Sequence, residues 1–359
     1  MRLATVVAVV GGAVLGCQPE GTGPVSPPPP PPAATRAYRM GFSGFPPKPD
    51  QQVAVAALEL WTRRADIAIV HEQLPWPELL AGTPPDSILA REKDGLIGYY
   101  RAKGLQLVFI ADANDGLARA REAPDLLAAG RSITEPAIQL LYRRWIRAFV
   151  DRYHPEYVGL AAETNLIRLA APAPLYQAVV TVVNAAAAEL KTIAGPPKLF
   201  VSVQVETAWG KFSAQPYLGV EADFADFPFI EAVGLSSYPY FVWADPADLP
   251  ADYYSRLLNG RSLPVLVVEG GWASESAPGA FTSSPERQAR YFARQAALLA
   301  PTTPVAWIQL APTDLEVRTF PADLQTAITP FSRLGVLDSA LAEKPALRVW
   351  DSLFTIPRA

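Results

Sequence analysis

The chain has 359 residues, 50% of them apolar and 18% charged, with a formal net charge of −4. That is ordinary for one large α/β core, and the absence of any Lys/Arg run argues against nucleic acid or an anionic membrane surface as partner. With one cysteine and two histidines, a disulfide within the chain is impossible and a His/Cys metal cluster is excluded, whereas a carboxylate-only site is not.

Met1-Arg2 gives a minimal positive start, and Leu3 to Gly16 is apolar but too short to span a bilayer. The segment ends Val14-Leu15-Gly16-Cys17, which resembles the bacterial lipobox. The resemblance implies that Cys17 is lipidated and becomes the mature N-terminus. An ordinary signal peptide with a stray cysteine is the alternative. Residues 17–36 are Pro-rich, with six consecutive prolines from Pro27 to Pro32. Such a segment cannot pack and reads as a polyproline II spacer of about 3.1 Å per residue. The expected organisation is therefore a signal peptide at 1–16, a linker at 17–36 and one folded domain at 37–359.

Strand and helix patterns then alternate. Eight strands are predicted: Tyr38–Gly41, Ile67–Val70, Leu105–Ile110, Tyr157–Leu160, Leu199–Val205, Ala232–Ser236, Val265–Val268 and Val305–Leu310. Most are continuous apolar runs, as parallel strands covered on both faces require. Asp50 is placed to cap a helix whose Val53, Ala56, Ala57 and Leu60 share a face. Asp86 is the expected cap of a helix running to Gly104. Ile138, Leu141, Trp145 and Phe149 form a further stripe, and Ser284-Pro285-Glu286 opens another helix. Phe224 to Ile230 offers only a short turn. This order predicts a (β/α)8 TIM barrel in a single domain. An open doubly wound sheet is disfavoured, because Ser43-Gly44-Phe45-Pro46-Pro47 after the first strand lacks G-x-G-x-x-G spacing.

A barrel of this kind works at the C-terminal ends of its strands. His71, Glu72 and Trp76 follow strand two; Asp112 and Asn114 end strand three; Glu163 and Asn165 end strand four. Gln204, Glu206 and Trp209 follow strand five; Ser236, Ser237, Tyr238, Tyr240 and Trp243 strand six; Glu269 and Trp272 strand seven; Trp307 and Gln309 strand eight. Two apolar runs, Tyr157 to Ala162 and Pro264 to Val268, each stop at a glutamate. A carboxylate closing a buried strand is costly as core. Two of them on one rim equip a site to cleave a glycosidic bond. Five of the eight tryptophans fall on this rim, where they are expected as sugar platforms, although Trp76 and Trp243 read equally well as loop pins.

The segments Ala162-Glu163-Thr164-Asn165, Gly234-Leu235-Ser236-Ser237-Tyr238-Pro239-Tyr240 and Val267-Val268-Glu269-Gly270-Gly271-Trp272 resemble glycoside hydrolase clan A. Within it the chain looks most like the arabinogalactan endo-β-1,4-galactanases, over essentially everything after the linker. The resemblance implies a retaining double displacement. Glu269 is the nucleophile, oriented by Tyr238, and Glu163 is the acid/base. Asn165, Trp272, Trp307, Glu206, Trp209 and His71 are the expected substrate contacts, and no metal or organic cofactor is called for. One position departs from the clan: the Asn that holds the sugar 2-hydroxyl is Ala162 here. Asn165 or Gln204 replaces it, or the contact or the activity is lost. Glu206 is either a third pocket carboxylate or a rim residue. His154, before Pro155, reads as structural.

The leading expectation is a monomeric glycosidase at the cell surface, acting on a β-linked polysaccharide or oligosaccharide and held to a bacterial membrane through Cys17. The alternative is a non-catalytic glycan-binding lipoprotein on a degenerate hydrolase barrel, favoured by Ala162. A structural envelope lipoprotein is a third class, against which the tryptophan bias argues.

Overall fold

The computed structural model describes residues 35–213 and 215–359. Cys17 and the proline run lie outside these. The folded part includes Arg36, whose guanidinium pairs with Asp66 at 2.7 Å and whose amide donates to the Pro357 carbonyl at 2.8 Å.

Nine strands appear in chain order: β1 (Arg39–Ser43), β2 (Ile67–Gln73), β3 (Gln106–Asp112), β4 (Tyr157–Gly159), β5 (Lys198–Phe200), β6 (Ser202–Gln204), β7 (Val233–Ser237), β8 (Pro264–Gly270) and β9 (Thr303–Gln309). Their order in the sheet is β5-β4-β3-β2-β1-β9-β8-β7-β6, and every pairing is parallel. The two ends, β5 and β6, are halves of the single run predicted at Leu199–Val205, parted only by Val201. Val201 still accepts from the Gly234 amide at 3.1 Å, and Ser202 donates to Ala161 at 3.0 Å. The sheet therefore closes on itself as a (β/α)8 barrel, which leaves no free edge.

Side chains alternate across the barrel wall. Ile67, Ile69, Val108, Ile110, Phe200, Leu266 and Ile308 fill the interior. Phe42, Phe109, Val158, Leu235, Val267 and Trp307 face the outer helices. Both faces are apolar, so the strands read as unbroken hydrophobic runs. The helices start where their caps dictate. The Asp50 carboxylate accepts from the Val53 amide at 3.1 Å, and the Ser284 hydroxyl accepts from Arg287 at 3.3 Å ahead of Pro285. The helix expected from Asp86 to Gly104 is instead two, Pro85–Glu92 and Asp94–Ala102. They break at Lys93, whose ammonium turns to pair with Glu72 at the mouth of the barrel. The last helix, Pro345–Phe354, lays Trp350 against Phe42 and Trp307, with ring centroids 4.3 and 4.9 Å away. Among the described residues no helix is long and apolar enough to cross a membrane.

Candidate active site

Glu163 follows β4 in a left-handed backbone conformation, φ 50° and ψ 47°. A non-glycine residue held there costs of order 1–3 kcal/mol and persists only where its surroundings fix it. They do: the Glu163 amide donates to the Ser202 hydroxyl at 2.9 Å. The carboxylate accepts from Ser236 Oγ at 2.6 Å and from Arg119 Nε at 2.9 Å.

Glu269 reaches the same place by a different device. Strict alternation along β8, with Leu266 and Val268 inside and Val265 and Val267 outside, would send residue 269 into the helix layer. The β7–β8 register shifts there, so that Leu235 pairs with Val267 but Ser236 pairs with Glu269. A bulge re-aims the residue that follows it. Ser236 points inward onto Glu163, and Glu269 beside it points inward too. The next residues must be glycine. Gly271 has φ 149°, and a Cβ on it would lie 2.2 Å from Gln309 Nε2.

The two glutamates are joined by a chain of alternating charge. His71 Nδ1 lies 3.7 Å from Glu269 Oε2, and His71 Nε2 lies 3.0 Å from Asp112 Oδ1. Arg119 meets that same Asp112 oxygen at 2.7 Å and Glu163 at 2.9 Å. A carboxylate only accepts, so Nε2 carries a proton, and Nδ1 carries one when the ring is charged. Burial alone works against the imidazolium, but Asp112 and then Glu269 overcome it and raise His71 above its ordinary value. Burial likewise opposes an ionised Asp112, yet Arg119 and His71 hold it at about 2. Glu269 is raised, first by burial and then by the Glu163 charge. Tyr238 donates to Glu269 Oε1 at 2.5 Å. Burial and the Glu269 charge push that phenol well above its usual range, so it stays a donor.

These groups lie on the floor of a cavity of about 530 Å³ at the C-terminal mouth of the barrel. Its lining includes Glu163, Glu269, His71, Tyr238, Asp112, Arg119, Glu72, Gln73 and Gln204. Glu269 Oε2 and Glu72 Oε1 are buried without a hydrogen-bond partner among the described residues. Orphaned acceptors in a cavity are what a ligand's hydroxyls satisfy.

The structure thus brings Glu163, Glu269, His71 and Tyr238 together and places the other predicted contacts elsewhere. The Asn165 amide exchanges two hydrogen bonds with the Gln204 backbone, at 2.8 and 2.9 Å, as a substitute rung where β4 has ended. It is buried and committed to that rung. Gln204 is no freer, because its oxygen accepts from the Thr207 amide at 2.5 Å and its nitrogen donates to Glu206. Ala162 packs with the barrel interior, so neither suggested substitute supplies the missing amide. Glu206 lies behind β6 and β7, held by Tyr253, Gln204 and, at 3.2 Å, Ser237. Burial without a cation raises it to about 7. Trp272 is buried with its N–H on Ser283 at 2.9 Å, Trp307 is sealed among Tyr38, Phe292 and Trp350, and Trp209 donates to the Tyr253 carbonyl at 2.9 Å. Trp76 is fully buried and Trp243 half-buried against Tyr253. None of the five lines the cavity; wide apolar rings were claimed by packing, the larger energy.

Sequence reasoning missed Arg119, which sits in the loop after β3 with nothing in its local sequence to mark it. It also missed the apolar lining from the segment after β9, whose Leu315, Phe320, Leu324, Ile328 and Phe331 signal it by being apolar in a loop region.

No protein-family model and no curated protein sequence matches the chain. Solved structures do. A GH5_18 protein from Streptomyces cattleya in complex with GlcNAc is 16% identical, with 89% of this chain and 80% of that chain covered and a TM-score of 0.61. One from Bifidobacterium longum subsp. longum is 12% identical, covering 90% and 80%, at 0.59. Xylanase 10B from Thermotoga petrophila is 11% identical, covering 88% and 94%, at 0.55. These likenesses define a (β/α)8 barrel of the type found in GH5 and GH10 glycoside hydrolases. At such identities they bear on the fold, and the chemistry has to be argued from the site.

Proposed function

We propose that the protein is a retaining glycoside hydrolase acting on a β-linked glycan, with Glu269 as nucleophile and Glu163 as acid/base. The observation that carries this reading is the pair of inward-facing glutamates on one cavity floor, linked through His71, Asp112 and Arg119. Charged His71 stabilises ionised Glu269 for attack on the anomeric carbon, and the Tyr238 hydroxyl fixes its orientation. Glu163 protonates the leaving oxygen and then activates water. When Glu163 carries a proton it gives up its ion pair, but Arg119 keeps Asp112, so no buried charge is stranded. The sequence likeness to galactanases and the structural likeness to GH5_18 and GH10 proteins share a barrel but not a substrate. Incubation with plant and bacterial polysaccharides and with β-glycosides of simple alcohols, with released reducing sugar as readout, tests the reading; no release from any of them contradicts it.

A second reading has a specific observation behind it. The Arg119 ion pair on Glu163, together with Ala162, fits a non-catalytic glycan binder. Equal oligosaccharide binding by wild type and Glu269→Gln, with no product from either, selects it. We also propose that the chain is lipidated at Cys17 and anchored to the cell envelope. Detergent-phase partitioning that persists in Cys17→Ser contradicts the anchor.

A further inference from the structure

The floor of the cavity is polar, but one wall is not. Phe45 from the loop after β1 and Leu315, Phe320, Leu324, Ile328 and Phe331 from the segment after β9 face the same space as the two glutamates. Leu324 and Ile328 are one turn apart on the helix Ala322–Ile328, which has no fully buried residue, so they share a face. Four of the nine exposed large hydrophobic residues among those described line this one cavity: Phe45, Leu117, Phe212 and Leu324, between 36% and 52% exposed. Scattered apolar residues need no explanation, but a clustered, concave set continuous with a polar site marks a ligand surface.

The wall is poorly suited to a second sugar. Each hydroxyl of a sugar loses water on binding and needs a partner, and leucine, isoleucine and phenylalanine side chains supply none. Indole rings, which present a face and a donor together, lie outside the cavity. A cavity of about 530 Å³ is within the roughly 300–1,000 Å³ of small-molecule sites. It has room for one sugar over the carboxylates and an apolar group beside it.

Resting on the hydrolase reading, we propose that the substrate is a β-glycoside of an apolar alcohol, its aglycone seated on the wall formed by Phe45 and the segment Leu315 to Phe331. In the reaction the C1–O bond to the aglycone breaks as Glu269 bonds to C1. The proton on Glu163 goes to the departing alkoxide oxygen. Water then gives its proton to Glu163 and its oxygen to C1, releasing the sugar and restoring Glu269.

The test uses methyl, butyl and octyl β-glycosides of galactose, glucose and mannose, below their micelle concentrations, with the full chain carrying Cys17→Ser so that no detergent is needed. On the best sugar, kcat/KM should rise at least tenfold from methyl to octyl, mainly through KM. The ceiling is about fourfold per methylene. Leu324→Asn combined with Phe331→Ala should flatten the octyl-to-methyl ratio, a readout that partial misfolding does not change because both substrates meet the same enzyme. Hydrolysis with no dependence on chain length, or with a disaccharide preferred over the octyl glycoside, overturns the inference and leaves the hydrolase reading intact. If nothing is hydrolysed, calorimetry on Glu269→Gln decides. Octyl binding at least tenfold tighter than methyl keeps the apolar site and, with no product from any polysaccharide either, sinks the hydrolase; equal binding overturns the inference. Tight binding to phosphatidylcholine vesicles with no preference among the glycosides would assign the wall to a bilayer and overturn the inference.

Discussion

Glu269 is the residue on which burial and neighbours act most visibly. Burial and the Glu163 charge raise it, while His71 and Arg119 lower it. A nucleophile must be ionised, so activity is lost as pH falls through its raised value. The acid limb of kcat/KM should therefore lie above the 4.5 of an ordinary glutamate. His71→Asn removes a cation that favours the ionised form and should move that limb further up in pH. An acid limb below about 4, or one unmoved by His71→Asn, would contradict the charge chain. His71 itself is raised, so its charge is present below its folded pKa and its support for Glu269 fades as pH rises through that value. Glu269→Gln keeps the shape and removes the nucleophile, and kcat should fall at least about a thousandfold. Glu163→Gln should spare the first step for aryl glycosides, whose leaving groups need little protonation, and a glycosyl-enzyme should accumulate. Slow hydrolysis by Glu163→Gln with no such accumulation would argue for another acid. Both glutamates stand out in the sequence as carboxylates ending apolar runs. Arg119 does not, because a loop residue's partner is set by where the loop returns.

At the scale of elements, β8 and β9 show what packing does to a local pattern. The β8 bulge turns Glu269 inward, and Gly271 follows it in a conformation that other residues rarely adopt. Gly271→Ala should destabilise the fold by about 1–3 kcal/mol and lower kcat with it, since a Cβ there displaces Gln309 and the β8 terminus. Unchanged thermal stability and turnover would show that the bulge tolerates other backbones. Trp307, expected on the sugar, lies on β9 with outward parity. Trp307→Ala should therefore cost about 3–5 kcal/mol of stability in urea unfolding and leave KM of the surviving enzyme near normal. A raised KM without loss of stability would return Trp307 to the site. All eight predicted strands are present because continuous apolar runs mark them strongly. The bulge and the break at Lys93 are invisible in sequence, being consequences of pairing between distant segments.

Across the whole molecule, the closed barrel also carries a cost away from its mouth. Glu206 lies behind β6 and β7 with three side-chain hydrogen-bond partners and no ion-pair partner among the described residues. Its pKa, near 7 against an ordinary 4.5, means that the folded state holds a proton which the unfolded chain has released between these values. The Glu206 contribution to stability is thus fully present below about 4.5 and declines as pH rises toward 7, by up to about 1.4 kcal/mol per pH unit. Glu206→Gln should flatten that slope in thermal melts; an unchanged slope would place the titration elsewhere. The fold and the two glutamates were legible because apolar strands that stop at a carboxylate mark both. The apolar wall was not, since the loop after β1 and the segment after β9 meet there only once the barrel closes. The central claim, a covalent intermediate on Glu269, is tested most directly with 2-deoxy-2-fluoro β-glycosides of galactose, glucose and mannose, followed by mass spectrometry of the digested protein. The account predicts one glycosyl adduct on the peptide containing Glu269, absent in Glu269→Gln. An adduct on another residue, or turnover of natural substrate with no adduct from any of the three, would contradict it.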